Sequence, residues 1–284
     1  MSRSFLNESA TSQGKGVRML LAIDIGNTHT VFGVYRGRKL IADWRVTSML
    51  QRTEDEVGTQ VRLFLKEAGI PTKSIQGVGI SSVVPNLTDI FSMMARKYFA
   101  ANPLIISSAL DLGFKIHYDD PHSVGADRLC NAVSGYAAFG GPLIVIDFGT
   151  ATTYDVLSKS GDYLGGVIAP GIETSAVDLH RRAAKLPKIE LHFPKSIIGR
   201  DTVSSMQAGI LYGAVDSMEG LVKRIQAEIE VHEGKKATVI ATGGFSELMA
   251  RQSRLITACV PSLVLDGVRI IYDRVSKAPR GKKR

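Results

Sequence analysis

The chain has 284 residues, 44% hydrophobic and 22% charged, enough for one large domain or two medium ones with their own cores. That balance argues against a disordered or fibrous protein, and no apolar run approaches the roughly 18 residues of a membrane span. The net charge of +8 sits at the ends: residues 1–18 hold Arg3, Lys15 and Arg18 against Glu8, and residues 276–284 hold Lys277, Arg280, Lys282, Lys283 and Arg284. Setting aside that +2 and +5 leaves +1 for everything between, so the folded part has no general basic excess and nucleic acid is not an expected partner.

Residues 1–18 lack the apolar stretch of a secretory signal, and a cytoplasmic protein is expected. They read as a flexible extension, and 276–284 as a solvated basic tail. From Met19 to Asp24 an apolar run reads as a strand, followed by a Gly-Asn-Thr turn and the strand-like Thr30 to Tyr35 and Lys39 to Val46. A helix is expected from Thr53 to Ala68, with Val57, Val61, Phe64, Leu65 and Ala68 on one face. Val78 to Val84 reads as a buried strand, Leu87 to Phe99 as a helix, and Leu104 to Ser107 as a short strand. Gly125 to Arg128 then open a helix running to about Ala138, with Leu129, Val133 and Tyr136 or Ala137 turned inward.

The pattern restarts after Gly141. Pro142 to Asp147, Thr152 to Leu157 and Tyr163 to Ile168 read as three strands. A helical region from Glu173, another around Thr202 to Ile229, a strand at Thr238 to Ala241 and a closing helix from Leu265 to Val275 complete the chain. Two halves with one order of elements imply two similar α/β domains, at 19–138 and 139–275.

Asp24, Ile25, Gly26, Asn27 and Thr28 follow a buried strand, and Asp147, Phe148, Gly149 and Thr150 repeat the arrangement 123 positions later. In each, a strand delivers a carboxylate to a turn whose glycine lets the backbone approach a ligand. Hydroxyls and amides just downstream can donate to phosphate oxygens. One copy alone is an ordinary turn at a strand end; two copies at matching points of two halves point to phosphate binding. Ala241 to Ser246, A-T-G-G-F-S, follows a strand and offers two adjacent glycines. A third cluster comprises Tyr118, Asp119, Asp120 and Pro121, then Gly125, Ala126, Asp127 and Arg128. Asp127 falls near a helix N-terminus, where the macrodipole favours a carboxylate, and the adjacent Arg128 suits an anionic substrate.

The paired turns resemble the phosphate-binding hairpins of the actin, Hsp70 and sugar-kinase superfamily, in which ATP lies between two ribonuclease H-like domains. With D-I-G-N-T, G-A-D-R, D-F-G-T-A-T-T, Y-L-G-G-V-I-A-P-G and I-G-R-D-T, the chain resembles the type III pantothenate kinases from about Met19 to Tyr272. The resemblance implies that Asp24, Ile25, Gly26, Asn27, Thr28, His29, Thr30 and Val31 bind ATP, with Thr150 on the other side and Asp24 holding Mg through water. It implies Asp127 as the catalytic base, and Tyr118, Gly125, Ala126, Asp127 and Arg128 as the pantothenate pocket. A monovalent cation, K or NH4, would sit at Asp147. Thr202 would reach pantothenate from the neighbouring subunit of a homodimer with shared active sites. The family usually has Asn-Pro where this chain has Asp120-Pro121.

Two other functions compete: a kinase of the same superfamily acting on another hydroxyl compound, and a non-catalytic accessory of transcription. The six histidines form no ligand pattern, Cys130 and Cys259 stand far apart and read as buried apolar side chains, and there is no P-loop signature.

Overall fold

The computed structural model describes residues 19–277. The expected extension at 1–18 and residues 278–284 of the expected tail lie outside the described residues. The first half runs β1 (Met19–Ile25), β2 (His29–Arg36), β3 (Lys39–Thr47), α1 (Glu54–Glu67), β4 (Ile75–Ser82), α2 (Pro85–Phe99), β5 (Leu104–Ile105) and α3 (Ala126–Phe139). The second runs β6 (Leu143–Phe148), β7 (Ala151–Leu157), β8 (Tyr163–Pro170), α4 (Ile172–Arg182), α5 (Thr202–Glu233), β9 (Thr238–Gly243), α6 (Ser246–Ala250), β10 (Ala258–Cys259) and α7 (Leu263–Lys277).

Local chemistry sets several boundaries. Thr53 and Glu56 form a capping box that starts α1. Val83 and Val84, expected in a strand, fall outside β4, with Val84 already the N-cap of α2 and Pro85 its first residue. Asp201 caps α5 by accepting from the Ser204 N–H, and Gly234 ends that helix in the left-handed conformation. The short α6 and β10 had no periodic signal of their own. Ala68, expected inward on α1, is exposed at its C-cap, and of the two inward options on α3 Tyr136 is half-buried while Ala137 is exposed. Cys130 is buried as expected; Cys259, on the two-residue β10, is only partly so. Helix α7 continues to Lys277, inside the stretch read as tail.

The two sheets have one topology. The orders β3-β2-β1-β4-β5 and β8-β7-β6-β9-β10 correspond strand for strand, each an antiparallel meander followed by parallel strands. Period-two alternation then sorts the side chains of the central strands. On β1, Met19, Leu21, Ile23 and Ile25 join a core with α1 and α2, while Leu20 and Ala22 face a middle core. On β6, Ile144, Ile146 and Phe148 pack toward α5, while Leu143 and Val145 face the same middle core. That middle layer is α3 and α7, which pack on each other. Helix α3 touches β6 and β7 of the second sheet as well as β4 of the first, and α7 touches β1, β2 and β4 of the first. Each half therefore lends a helix to the other half's sheet. The next inward positions of the two central strands are Asp24 and Asp147, so the alternation that builds the middle core ends in a carboxylate on both sheets.

Candidate active site

Asp24 and Asp147 meet a third carboxylate between them. Asp127 lies in the first turn of α3, after the N-cap Gly125, and accepts from the Arg128 N–H at 2.8 Å. A Cβ built on Gly125 would stand 2.5 Å from Asp127 Oδ1, so glycine there keeps the carboxylate in place. Ser81 Oγ donates to Asp24 Oδ1 at 2.9 Å, and Asn131 Nδ2 donates to Asp147 Oδ2 at 3.0 Å. Asn131 Oδ1 is buried and has no partner. Gly243, at φ 86°, would place a Cβ 2.5 Å from Asp147 Oδ1, so the turn after β9 leaves room beside that carboxylate.

All three carboxyls are raised, first of all by burial. Burial, then repulsion from Asp127 and Asp147, pushes Asp24 up to about 8 against the pull of Ser81 and Arg45. Burial and repulsion from Asp127 push Asp147 up to about 6 despite Asn131 and Arg45. Burial raises Asp127 as well, against the Arg128 N–H and guanidinium. A carboxyl that binds its proton more tightly when folded contributes stability that is present below its unfolded value, near 3.8, and is lost as pH rises through the folded one. The unliganded chain is therefore expected to lose stability between about pH 4 and pH 8, and Asp24→Asn to flatten part of that slope. Urea unfolding at pH 5 and pH 8 checks this; parallel pH profiles for the two proteins would refute it.

The two turns close on each other. Thr28 Oγ1 and Thr150 Oγ1 share a hydrogen bond of 2.8 Å across the cleft. Behind the first turn, Ser48 Oγ donates to the Gly26 carbonyl at 2.7 Å, shares a 2.9 Å bond with Thr30 Oγ1, and its N–H donates to the Thr28 carbonyl. Thr174 Oγ1 holds the Thr150 carbonyl at 2.6 Å. Not every residue of the first expected stretch faces the cleft by its side chain. Asn27, Thr28 and His29 are exposed, whereas Ile25 and Thr30 are buried and shape the turn, and Val31 packs toward the middle core.

Beside Asp127 on α3 stands a buried ion pair. Arg128, only 6% exposed, donates from Nε to Asp155 Oδ1 at 2.7 Å, and Tyr163 Oη donates to the same oxygen at 2.8 Å. Arg128 Nη2 and Asp155 Oδ2 are buried without partners. Tyr118 is half-buried, its ring centroid 6.4 Å from that of Tyr163. Asp120 accepts from the His122 N–H at 3.0 Å and caps the turn Pro121–Ser123, a task that asparagine performs equally.

Thr202 stands apart. It is the first residue of α5 and lines an open cavity of about 750 Å³ with Leu179, Leu186, Arg200 and Met206, among none of the other expected site residues. Sequence reasoning missed Arg45, Ser48, Ser81, Asn131 and Asp155. Of these only Asp155 carried a signal, a carboxylate at a core-facing position of a strand. No cluster of three or more His, Cys, Asp or Glu suited to a metal occurs among the described residues, nor a helix long and apolar enough to cross a membrane.

The profile of the type III pantothenate kinase family matches residues 20–224. A type III pantothenate kinase from Moorella thermoacetica is 47% identical over 256 residues, 90% of this chain and 99% of that protein. One from Geobacillus kaustophilus is 45% identical over 256 residues, 90% of this chain and 98% of its own length. Among solved structures, component A of (R)-2-hydroxyglutaryl-CoA dehydratase from Acidaminococcus fermentans superposes with a TM-score of 0.54 at 15% identity, covering 92% of this chain and all of that one. That likeness speaks for the fold, two ribonuclease H-like domains of the actin-like ATPase type. With the profile covering most of the folded chain and relatives near half identical along almost their whole length, the chain belongs to the type III pantothenate kinase family.

Proposed function

We propose that this chain transfers the γ-phosphate of ATP to pantothenate, giving 4'-phosphopantothenate and ADP, the entry step of coenzyme A synthesis, in the cytoplasm. Family membership supports the reaction, and the observation that carries the site is the convergence of Asp24, Asp147 and Asp127 where two matching turns meet. Phosphoryl transfer needs positioning and charge stabilisation more than covalent chemistry. The turns at Gly26–Thr28 and Gly149–Thr150 offer amides and hydroxyls to phosphate oxygens. Asp127 accepts the proton of the pantothenate hydroxyl as its oxygen bonds to the γ-phosphorus and the bond to ADP breaks. The buried, unpartnered Arg128 Nη2 offers a donor for the pantothenate carboxylate, with Tyr118 alongside.

The donor set fits the ions the family implies. Asp24 alone suits Mg held through water, because that ion takes most of its ligands from water and phosphate. Asp147, the orphan oxygen of Asn131 and the space left by Gly243 suit a monovalent cation, K or NH4. Bound there, the two ions would offset charge on the phosphates.

A homodimer is part of the reading. Ile197 and Ile198 before α5, and Val203 beside Thr202, are 60%, 76% and 40% exposed, an apolar stretch next in sequence to the one expected site residue that stands alone. ADP release is expected only when pantothenate is added, and faster in potassium or ammonium than in sodium, from a protein that sediments as a dimer. Release indifferent to pantothenate would overturn the activity, equal rates in all three salts the cation site, and a monomer the shared site.

A further inference from the structure

The two sheets match strand for strand, yet their cleft-facing rows differ in charge at one place. In the first sheet, Ser81, Asp24, Val31 and Arg45 are cross-strand partners on β4, β1, β2 and β3. In the second, Thr242, Asp147, Thr153 and Ile168 hold the same positions on β9, β6, β7 and β8. Directly paired residues project to the same face of a sheet, so Arg45 shares the face of Asp24, two strands and about 10 Å away. Its neighbours on β3, Trp44 and Val46, pack on the opposite face. Where the second sheet ends its row in an exposed isoleucine, the first ends in a cation.

Arg45 also reaches the other half. A Cβ built on Gly244, in the A-T-G-G-F-S segment after β9, would lie 3.7 Å from Arg45 Nη1. The guanidinium therefore stands at the cleft mouth, between the carboxylate row of one sheet and the glycine turn of the other. Arg45 is exposed, and among the described residues its side chain makes no ion pair and no hydrogen bond. Its charge is felt at both Asp24 and Asp147, which it pulls downward. A bidentate donor left without an acceptor, facing a cleft lined by hydroxyls and turn amides, fits phosphate oxygens better than any protein group around it.

We infer that Arg45 binds the polyphosphate chain of the nucleotide, on the side facing Gly243 and Gly244, and so ties the two halves together when nucleotide is present. The inference rests on the reading of this cleft as the ATP site. Because β3 carries no recognisable phosphate motif, the assignment comes from register and from the approach of Nη1 to Gly244.

Steady-state kinetics and direct nucleotide titration of Arg45→Gln, Arg45→Lys and the same-sheet control Arg36→Gln test it. Arg45→Gln is expected to raise KM for ATP and Kd for ADP by about ten- to a hundredfold, the value of a charged hydrogen bond. Adenosine binding and KM for pantothenate should stay within about threefold of wild type. Arg45→Lys should recover part of the loss, and Arg36→Gln should behave as wild type. ATP and ADP constants unchanged in Arg45→Gln would overturn the inference, as would an equal loss for adenosine and ADP, which would mark a purely structural role. Should the wild type bind ATP but leave pantothenate untouched, the activity reading fails while the titrations still decide Arg45. Should the wild type bind no nucleotide at all, both fall.

Discussion

Asp127→Asn is expected to lower kcat by about a hundredfold to ten-thousandfold while ATP binding and the fold persist. The substitution keeps volume and still accepts from the Arg128 N–H, but it removes the only proton acceptor that the N-terminus of α3 presents between the two turns. Its charge repels Asp24 and Asp147 in the unliganded protein, so the amide should also stabilise that state. Activity and stability then move in opposite directions, a pairing that loss of a merely structural carboxylate would not produce. Burial raises Asp127 above the usual carboxylate range, so kcat/KM of the wild type should fall on the acid side as the base takes up its proton. Single-turnover rates with saturating ATP, paired with urea unfolding, read both effects. Turnover within a few fold of wild type would remove Asp127 from the role of base.

The parts of this site legible in the sequence are those written in local periodicity. Alternation along Met19 to Asp24 and Leu143 to Asp147 already places each aspartate on the inward row, and the turn residues after them announce a phosphate site. G-A-D-R is legible because helix entry and carboxylate lie within four residues. Arg45, Ser81 and Asn131 were not legible for a physical reason. Their importance comes from strand register and from the seat of α3 between the sheets, which no local window contains. The exchange of α3 and α7 between halves was hidden likewise. The chain divides after Ala138 by repeat counting, but the middle core is common to both halves, drawing Leu20 and Tyr35 from one sheet and Val145 and Ile240 from the other. The 19–138 and 139–275 division thus remains a proposal about folding units.

Asp155→Ala is expected to destabilise the protein by about 3–5 kcal/mol, because it leaves the Arg128 guanidinium buried without its counter-charge. The aspartate is fully buried on β7, and burial pushes its carboxyl up while Arg128 and Tyr163 pull it back. The Y-L-G-G segment is built around this pair. Tyr163 supplies the hydroxyl that reaches Asp155 Oδ1, and a Cβ on Gly166 would stand 2.6 Å from Arg128 Nη2. Asp155→Asn keeps an accepting oxygen for both donors and should cost less. Removing the cation as well, in Arg128→Met with Asp155→Ala, should recover much of the loss, since the penalty belongs to an unpaired charge more than to a missing contact. Stability and substrate binding separate in that double variant. It regains urea resistance, yet KM for pantothenate stays high because the donor at Nη2 is gone. If Asp155→Ala unfolds at the wild-type urea midpoint, the pair is not holding Arg128. If the double variant is as unstable as the single one, the cost lies in lost packing around Tyr163 instead.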